Sequence, residues 1–407
     1  MTWAWTAILI AVVVTGYAYV GYPLTLWIAA AVRGRRPAFP DIGDWPATCE
    51  WPSVTVTLPV FNEERVVAET LDAILALDYP KDRLHVLVVS DASTDGTDEI
   101  VERYANRGVE LIRLPRRSGK SAAENAARKR LRGELVVNTD ASVRLHPLAL
   151  KQLVAAFSDP TVGIASGRDV SVAKAGEGAS LGESEYVGYE MWVRDLETRL
   201  GGIVGASGCF YASRISLHME IVPEAQSRDF AAPLIAREHG FRSVSIADAV
   251  CYVPRTSSIR NEYRRKVRTM TRGLETLFFK RSLLNPFRYG FFAWKLISHK
   301  LMRWFVPWAF VAGAAGLVAL TPEFGWARVG LAASAMLVAA GLLAWWWPSG
   351  ARMPRVIGLP AYVILGLVAG LHSWTKALRG DLDPIWEPTR REPVHLPIER
   401  PAKATGR

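Results

Sequence analysis

Several short polar segments in the first half of the chain combine residue types that bind bases, phosphates and metal ions. Asp91 stands in the run S-D-A-S-T-D-G, where a carboxylate can accept hydrogen bonds from a base N–H or a ribose hydroxyl. Residues 116–121, R-R-S-G-K-S, put cations at the start of a predicted helix, and both features suit phosphate. Asp140 and Ser142 offer two oxygen ligands to a hard cation such as Mg²⁺ or Mn²⁺, together with diphosphate and water.

Each segment taken alone also has a plainer interpretation. Asp91 or Asp95 could be a turn former or a helix N-cap, and a lone D-x-S is weak evidence for a metal. The P-loop pattern requires glycine where Leu114 stands, so residues 116–121 do not form one. A fourth segment, P-V-F-N-E-E at 59–64, follows a run rich in β-branched residues.

These segments have equivalent positions in the predicted fold. Short apolar runs alternate with helical spacing, which predicts an α/β fold with a doubly wound, mostly parallel sheet. In such sheets ligands bind beyond the carboxyl ends of the strands, and every polar segment above falls at such an end. The predicted strands are 54–60, 84–89, 109–114 and 134–138, and the predicted helices are 63–77, 97–105 and 118–132.

Apolar runs at both ends of the chain predict membrane spans. Residues 3–32 carry no charge and exceed the roughly 20 residues that cross a bilayer core, which predicts a retained anchor rather than a cleaved signal. The basic residues at 33–36 then place the following soluble domain in the cytosol. Three more runs, 304–320, 329–347 and 356–378, are bordered by tryptophans, as expected of an aromatic belt.

The C-terminal half leaves a conflict in orientation. One span before the domain and three after it would put the C-terminus outside, yet the tail is basic and favours the inside. Residues 285–303 mix aromatic and basic side chains, which suits a helix in the membrane interface or, alternatively, a surface helix of the soluble domain. The predicted organisation is an anchor at 1–36, a soluble domain at 50–284, an interfacial helix at 285–303, spans at 304–380 and a polar tail at 381–407.

The charge and the cysteines indicate which partners and which redox compartment to expect. The formal net charge is +10, but no nucleic-acid recognition motif accompanies it, and basic flanks of membrane spans account for much of it. We therefore expect no nucleic-acid partner. Cys49, Cys209 and Cys251 lie far apart, without the spacing of a metal site or a disulfide framework, which fits a reducing cytosol.

Four motifs, in order and spacing, resemble the family 2 glycosyltransferases, whose fold is the GT-A type. They are T-L-P-V-F-N-E-E ending at Glu64, V-V-S-D-A-S-T-D-G-T ending at Thr97, R-S-G-K-S-A-A-E-N-A from Arg117, and G-E-L-V-V-N-T-D-A-S ending at Ser142. The resemblance implies an enzyme that transfers a hexose-type sugar from a nucleoside diphosphate sugar. In the first motif, Pro59 and Glu63 are expected to bind substrate.

The resemblance also implies roles for single residues. Asp91 would contact a uridine-type base, Lys120 would lie near the donor, and Asp140 would anchor Mg²⁺ or Mn²⁺ on the diphosphate with Ser142. The family usually has D-x-D or a close variant, so the serine in place of the second aspartate implies a weaker metal site or one completed by water.

The resemblance continues beyond the fourth motif to a candidate base. Residues 205–211, with Gly208, look like the family's small-residue segment near the acceptor, and S-R-D-F looks like the motif that ends in a general base, here Asp229. Displacement at the anomeric carbon requires the acceptor hydroxyl to lose its proton, which a positioned carboxylate accepts. Arg228 stands where an acidic residue is common and would weaken this base, and the alternative role of Asp229 is an N-cap.

A basic helix at 264–273 looks like a relative of the family's Q-x-x-R-W motif. Arg265, Arg268 and Arg272 share one helical face, where they could neutralise the leaving diphosphate, and Arg268 matches the arginine of the motif. The alternative is a basic helix that contacts lipid headgroups. Thr269 stands where the motif has tryptophan, which puts processive synthesis in doubt.

Together these features predict an inverting, metal-dependent glycosyltransferase. The donor is expected to be a UDP-sugar and the acceptor a lipid-linked or glycan molecule at the cytosolic face of a multi-pass protein of a bacterial-type inner membrane, in contact with membrane lipids. The alternatives are a processive polysaccharide synthase with coupled secretion and, from another class, an inactive nucleotide-sugar sensor or assembly subunit. A transporter is disfavoured because no predicted span carries a buried ionisable residue.

Overall fold

The fold is described from a computed structural model of the 407-residue chain. The described residues are 1–34, 50–172, 181–254, 258–348 and 353–381, with the single residues Phe39, Ile42, Trp45 and Ile385. Cys49 and most of the predicted polar tail at 381–407 lie outside them. Cys209 and Cys251 do not form a disulfide bond with each other.

Eight strands form one mixed sheet in the order β3-β2-β1-β4-β7-β6-β8-β5. The pairs β1–β2, β2–β3, β1–β4 and β6–β8 are parallel, whereas β7 runs antiparallel to β4 and β6, and β5 to β8. The predicted α/β sheet is therefore confirmed, and its first four strands match the predicted ones within about a residue. The strands are β1 Val54–Val60, β2 Leu84–Ser90, β3 Val109–Arg113, β4 Leu135–Thr139, β5 Arg144–Leu145, β6 Val162–Val172, β7 Phe210–Arg214 and β8 Arg242–Pro254.

The helices divide into those around the sheet and those at the two ends of the chain. Helices α3 to α9 flank the sheet, and α10 leads from the domain to the C-terminal helices. Their bounds are α1 Thr2–Gly16, α2 Tyr22–Arg33, α3 Val67–Leu75, α4 Thr97–Glu102, α5 Lys120–Ala127, α6 Ala149–Ala155, α7 Leu181–Arg199, α8 Ile215–His218, α9 Arg228–Glu238, α10 Ile259–Phe279, α11 Pro286–Tyr289, α12 Phe291–Leu296, α13 Met302–Leu320, α14 Gly325–Trp345 and α15 Arg355–Arg379.

The centre of the sheet is apolar because helices cover both of its faces. All seven residues of β1 are buried, and β2 is buried over its last five. The turns that follow these two strands contain residues with positive φ, Asn62 at 54° and Ala92 at 58°. Asparagine adopts this left-handed conformation readily, but at Ala92 it costs about 1–2 kcal/mol. Strained turns therefore stand at the strand ends where the sequence predicts a site.

Four helical segments among the described residues are long and apolar enough to cross a membrane: Thr2–Arg33, Phe291–Leu320, Gly325–Trp345 and Arg355–Arg379. One of these candidate spans is N-terminal and three are C-terminal, as expected from the sequence. The first two each contain a five-residue π-helical turn, Tyr17–Gly21 and Ile297–Leu301. The second begins at Phe291, so most of the segment predicted as a separate interfacial helix is continuous with the span that follows it.

The N-terminal span packs closely against α13. A Cβ at Gly313 would lie 2.7 Å from the Ala11 side chain, and one at Gly316 would lie 2.7 Å from the Ala4 carbonyl oxygen. Near the other end, the Tyr17 hydroxyl lies 2.7 Å from the Ser298 hydroxyl. The two spans therefore run antiparallel, with small residues allowing close contact.

Helix α15 lies against α10 near both of its ends. At its start, Met353 and Ala361 share an apolar cluster with Ile259, the first residue of α10. Near its end, the Ser373 hydroxyl donates to the Val267 carbonyl at 3.1 Å, and Trp374 packs against Leu274. Because α10 carries many charges and is not a candidate span, this contact keeps α15 beside the soluble domain.

Candidate functional site

A cavity of about 740 Å³ opens beyond the carboxyl ends of β1 and β4 and extends between the helices of the candidate spans. A second cavity, of about 650 Å³, lies beside Ser53, Leu84 and Val109, at the amino ends of β1 to β3. Ligands of doubly wound sheets bind at the carboxyl ends, so we assign the site to the first cavity. Seven of the predicted site residues line it: Glu63, Asp140, Ser142, Gly208, Asp229, Arg265 and Arg268.

Four other predicted site residues are not among those that line this cavity: Pro59, Asp91, Lys120 and Arg272. Pro59 is buried within β1. Asp91 is 1% exposed, and its two carboxylate oxygens accept from the backbone N–H groups of Ser118 and Gly119 at 2.7 and 2.8 Å. In this conformation Asp91 orders the loop that leads into α5, and its predicted contact with a base stays a prediction.

Lys120 links three parts of the site. Its ammonium donates to Asp140 Oδ1 at 2.5 Å and to the Gly208 carbonyl at 3.0 Å. Burial lowers the pKa of Lys120, but the carboxylates of Asp140, Glu124 and Asp229 raise it by more than burial lowers it. The pKa of Lys120 therefore lies above its ordinary value. Lys120 is therefore charged at neutral pH and holds the first helix residue of α5 against the end of β4.

Asp229 lies at the start of α9 and faces Gly208. The Ser227 hydroxyl donates to Asp229 Oδ1, and the Asp229 carbonyl accepts from the Ala206 N–H at 3.2 Å. A Cβ at position 208 would lie 2.9 Å from Asp229 Oδ2, which is too close for the carboxylate to stay in place. The helix begins at Arg228 with Ser227 as its N-cap residue, so Asp229 is not the N-cap that the alternative interpretation required.

The sequence suggested that Arg228 would pair with Asp229 and weaken it as a base, but the Arg228 guanidinium has other partners in the structure. The guanidinium is 3% exposed and turns away to Asn125 Oδ1 and to the carbonyls of His218 and Glu220. Its ion-pair partner is Glu124, at 3.7 Å, which is 2% exposed. Burial raises the pKa of Glu124, and the cations Lys120 and Arg228 offset this only in part, so the pKa lies above its ordinary value. Arg228 therefore serves the packing between α5 and α9.

Two arginines of α10 line the cavity, and a third joins α10 to neighbouring elements. Arg268 and Arg265 line the cavity, and Arg265 also makes a bidentate pair with Glu262 at 2.8 Å for both bonds. Arg272 donates to the Ser121 hydroxyl at 2.7 Å and to the Gln226 carbonyl at 2.5 Å. Arg272 thus joins α10 to α5 and to the loop immediately before Ser227 and Asp229.

The residues at the end of β4 fit a divalent cation that takes most of its ligands from a diphosphate and water. Asp140 and Ser142 both line the cavity, whereas no group of three Asp, Glu, His or Cys side chains among the described residues could hold a metal. Hard cations bound mainly through substrate phosphates need only one or two protein carboxylates. The donor set therefore suits a metal held mainly by phosphate oxygens and water.

Sequence patterns did not predict a polar cluster on the membrane side of the cavity. We call Glu190, Arg194, His299, Lys300 and Arg303 the membrane-side cluster; all five line the cavity. It joins α7 to the helix Phe291–Leu320. The expectation that no predicted span carries a buried ionisable residue holds only for the shorter runs, because the longer helix contains His299 and Arg303, which are 1% and 7% exposed. The basic residues at 295–303 were the one sequence feature that could have indicated this cluster, but a helix in the membrane interface accounts for them equally well.

Replacing Arg228 by methionine tests its packing role. Arg228→Met should lower the free energy of unfolding by about 3–5 kcal/mol, because Glu124 would stay buried without its guanidinium partner. Thermal unfolding of the full chain measures this, and Arg228→Met combined with Glu124→Gln should recover part of the loss. The exposed Arg103→Met serves as a control, with a change within about 0.5 kcal/mol. An Arg228→Met chain as stable as the wild type would contradict the assignment.

Comparisons with known proteins agree with this geometry. The family model described as Glycosyl transferase family 2 matches residues 55–213, which span β1 to β7 almost completely. An N-acetylglucosaminyltransferase of Mesorhizobium japonicum is 27% identical over 231 residues, covering 52% of this chain and 53% of that protein. One of Rhizobium sp. is 24% identical over 338 residues, covering 78% of this chain and 72% of that protein. The chain thus spans about half the length of the first relative.

A solved structure extends the likeness to the membrane helices. The mannosyltransferase PcManGT from Pyrobaculum calidifontis, in complex with GDP-Man and Mn²⁺, has a TM-score of 0.67 and 25% sequence identity, and the match covers 91% of this chain and 99% of that one. The likeness confirms the GT-A fold expected from the motifs. Residues 55–213 thus form a domain of the glycosyl transferase family 2 type.

Proposed function

We propose that this protein transfers a sugar, with inversion, from a nucleoside diphosphate sugar to a lipid-linked or glycan acceptor at the cytosolic face of a membrane. One observation carries the proposal: a single cavity contains Asp140, Asp229 and Arg268 and continues between apolar side chains, such as Phe310 of α13 and Leu367 of α15. A water-soluble donor and an amphipathic acceptor can therefore reach the same carboxylate from opposite ends.

The donor diphosphate is assigned to the end of the cavity formed by β4 and α10. Asp140 and Ser142 would hold Mg²⁺ or Mn²⁺, which would supply charge neutralisation for the diphosphate. Arg268 and Arg265 line the same wall, where their guanidinium groups would stabilise negative charge on the departing nucleotide. The solved mannosyltransferase, whose complex contains a nucleotide sugar and Mn²⁺, supports a divalent metal.

Asp229 is the proposed general base. It lies on the cavity wall, and the Ser227 hydroxyl and the absence of a side chain at Gly208 hold its carboxylate in one position. It would accept the proton of the acceptor hydroxyl while that oxygen bonds to the anomeric carbon and the bond to the diphosphate breaks. Attack from the side opposite the leaving group inverts the anomeric configuration.

The proposed donor is a UDP-sugar. The named relatives are N-acetylglucosaminyltransferases, which favours an N-acetylhexosamine donor, whereas the solved neighbour contains GDP-Man. A screen of the full chain should therefore include UDP-N-acetylglucosamine, UDP-glucose and GDP-mannose, and should measure released nucleotide.

The contacts of α15 support a cytosolic C-terminus. Because both ends of α15 contact α10, we propose that α15 stays on the side of the catalytic domain and that only three helical segments cross the membrane. The N-terminus is then outside, Thr2–Arg33 leads inward, Phe291–Leu320 leads outward, and Gly325–Trp345 returns. This topology puts the basic tail in the cytosol and removes the conflict in the charge pattern.

Removing the proposed base should abolish transfer without abolishing donor binding. Asp229→Asn should lower kcat by about 10²–10⁴-fold, since the amide cannot accept the acceptor proton. Nucleotide release measures turnover, and equilibrium binding of UDP with Mn²⁺ should stay unchanged. Asp140→Asn should instead raise the Mn²⁺ concentration needed for half-maximal binding of UDP.

The control for these two substitutions is Asp195→Asn, on the outer part of α7 and beyond the cavity. It should leave both turnover and metal dependence unaltered. If the wild-type chain bound a nucleotide sugar but neither hydrolysed nor transferred it with any acceptor, the sensor or assembly alternative would replace the enzymatic proposal.

A methyl group at position 208 should displace the base while the fold stays intact. Gly208 has an ordinary negative φ, so the cost of Gly208→Ala falls on the Asp229 carboxylate, 2.9 Å from the new Cβ, rather than on the backbone. We expect kcat to fall at least about tenfold, equivalent to about 1.4 kcal/mol, with an unchanged Tm. Gly188→Ala, which adds a Cβ in open space, is the matched control. Equal kcat in the two variants would refute the contact.

Reporter fusions test the proposed topology. Green fluorescent protein attached after Arg407 should fluoresce, because it folds in the cytosol, and alkaline phosphatase at the same position should be inactive. The same reporters after Glu323, between α13 and α14, should give the opposite result. Active phosphatase after Arg407 would mean that α15 crosses the membrane.

A further inference from the structure

The membrane-side cluster gives the cavity a second charged region, separate from the donor end. Arg194 comes from α7, and Lys300 and Arg303 come from the helix Phe291–Leu320. At the proposed donor end, Asp140 instead follows β4 and Arg268 belongs to α10. Cations at both ends of one cavity imply two anionic groups rather than one.

The cluster contains more positive than negative charge. Glu190 is its carboxylate: it accepts from Arg303 Nη1 at 2.7 Å, lies 2.9 Å from His299 Nε2 and 3.4 Å from Lys300 Nζ, and forms an ion pair with Arg194 at 3.7 Å. The other ring nitrogen of His299 lies 2.7 Å from Glu197, which also accepts from the Tyr22 hydroxyl. Asp169, elsewhere on the wall, accepts from Ser207.

One carboxylate is thus shared by Arg194, Lys300 and Arg303, and a histidine bridges it to Glu197. Buried charges in such a cluster are costly unless each is paired, so an excess of cations favours a further anion. The ligand that neutralises the cluster should carry at least one negative charge.

Two guanidinium groups of the cluster have unused donors. Arg194 is 8% exposed and Arg303 is 7% exposed, yet Arg194 Nε and Nη1 and Arg303 Nε donate no hydrogen bond within the described part of the chain. A buried N–H without an acceptor costs about 1–3 kcal/mol. Oxygen atoms of a phosphate in the cavity would satisfy such donors, since guanidinium groups match phosphate geometry.

The cluster stands next to the segment that leads to the base. Arg194 Nη2 donates to the Ala206 carbonyl at 3.2 Å, and a Cβ at Gly205 would lie 3.4 Å from Lys300 Nζ. Lys300 also lies over the ring of Phe230, the residue after Asp229, at 5.9 Å. Beyond the cluster the lining becomes apolar, with Val306, Pro307, Phe310, Val363 and Leu367.

We propose that the acceptor is a lipid whose headgroup carries a phosphate, and that Arg194, Lys300 and Arg303 bind this phosphate. This proposal rests on the proposed function and names the class of its acceptor. The hydrocarbon chain lies against the apolar lining, and the acceptor hydroxyl extends toward Asp229. That hydroxyl loses its proton to Asp229 and forms the new bond to the anomeric carbon, while the nucleoside diphosphate leaves with the electrons of the broken bond.

Equilibrium binding tests the phosphate site independently of turnover. The full chain in neutral detergent micelles is saturated with UDP and Mn²⁺, so that the donor end is occupied, and is titrated with a fluorescent short-chain phosphatidate. Unlabelled phosphatidate should displace the probe at least about tenfold more effectively than diacylglycerol of the same chain length. Inorganic phosphate at equal concentration should displace little, because it lacks the hydrocarbon chain.

Charge removal supplies the second measurement. Lys300→Met should weaken probe binding about 10- to 100-fold, the range expected for one charge-assisted hydrogen bond, while Lys300→Arg should restore most of it. Arg288→Gln, which removes an exposed cation outside the cavity, should leave probe binding unchanged. The same differences in probe binding are expected when each substitution is combined with Asp229→Asn, because binding of the probe does not require turnover.

Three outcomes would overturn the proposal. Diacylglycerol that competes as well as phosphatidate would show that the acceptor site is neutral. Inorganic phosphate that competes equally would show a site for a free anion rather than for a lipid. Unaltered probe binding in Lys300→Met would remove the cluster from the site. None of these outcomes depends on donor hydrolysis, so the proposed function is tested separately.

Discussion

A single ammonium group determines the geometry on which the rest of the site depends. Lys120 Nζ contacts both the Asp140 carboxylate at the end of β4 and the carbonyl of Gly208. These two contacts bring together the start of α5, the central sheet and the segment that faces Asp229. Because Lys120 and Asp140 are only 19% and 18% exposed, water screens the pair weakly. A diphosphate with its metal would enter an arrangement already set by this charge.

The architecture of the site could be predicted because parallel strands end at one edge. The turn containing Asp91 follows β2 and Asp140 follows β4, the two strands on either side of β1, and the motifs placed Asp229 and Arg268 in the cavity that Asp140 lines. Side-chain directions could not be predicted in this way. Asp91 turns to backbone N–H groups 27 residues away, and Arg228 to an asparagine 103 residues away. Such choices depend on tertiary partners that no local pattern contains.

The membrane-side cluster escaped the sequence analysis for a related reason. Its parts come from α7 and from a helix more than one hundred residues later, and each part alone has the composition of an amphipathic surface. Only their contact, His299 between Glu190 and Glu197, shows that these charges are buried together. Likewise, the hydropathy of α15 is that of a candidate span, and only its contacts show that it also lies against the charged helix α10.

The close packing of the first helix has a consequence for how the molecule could be shortened. Ala4 and Ala11 fit against the glycines of α13, and Thr15 and Tyr19 of the same N-terminal segment form part of the cavity lining. A chain that started after Arg33 would lose a candidate membrane span and part of the cavity wall at the same time. Under the proposed function, a truncation made to gain solubility would therefore also alter the use of the acceptor.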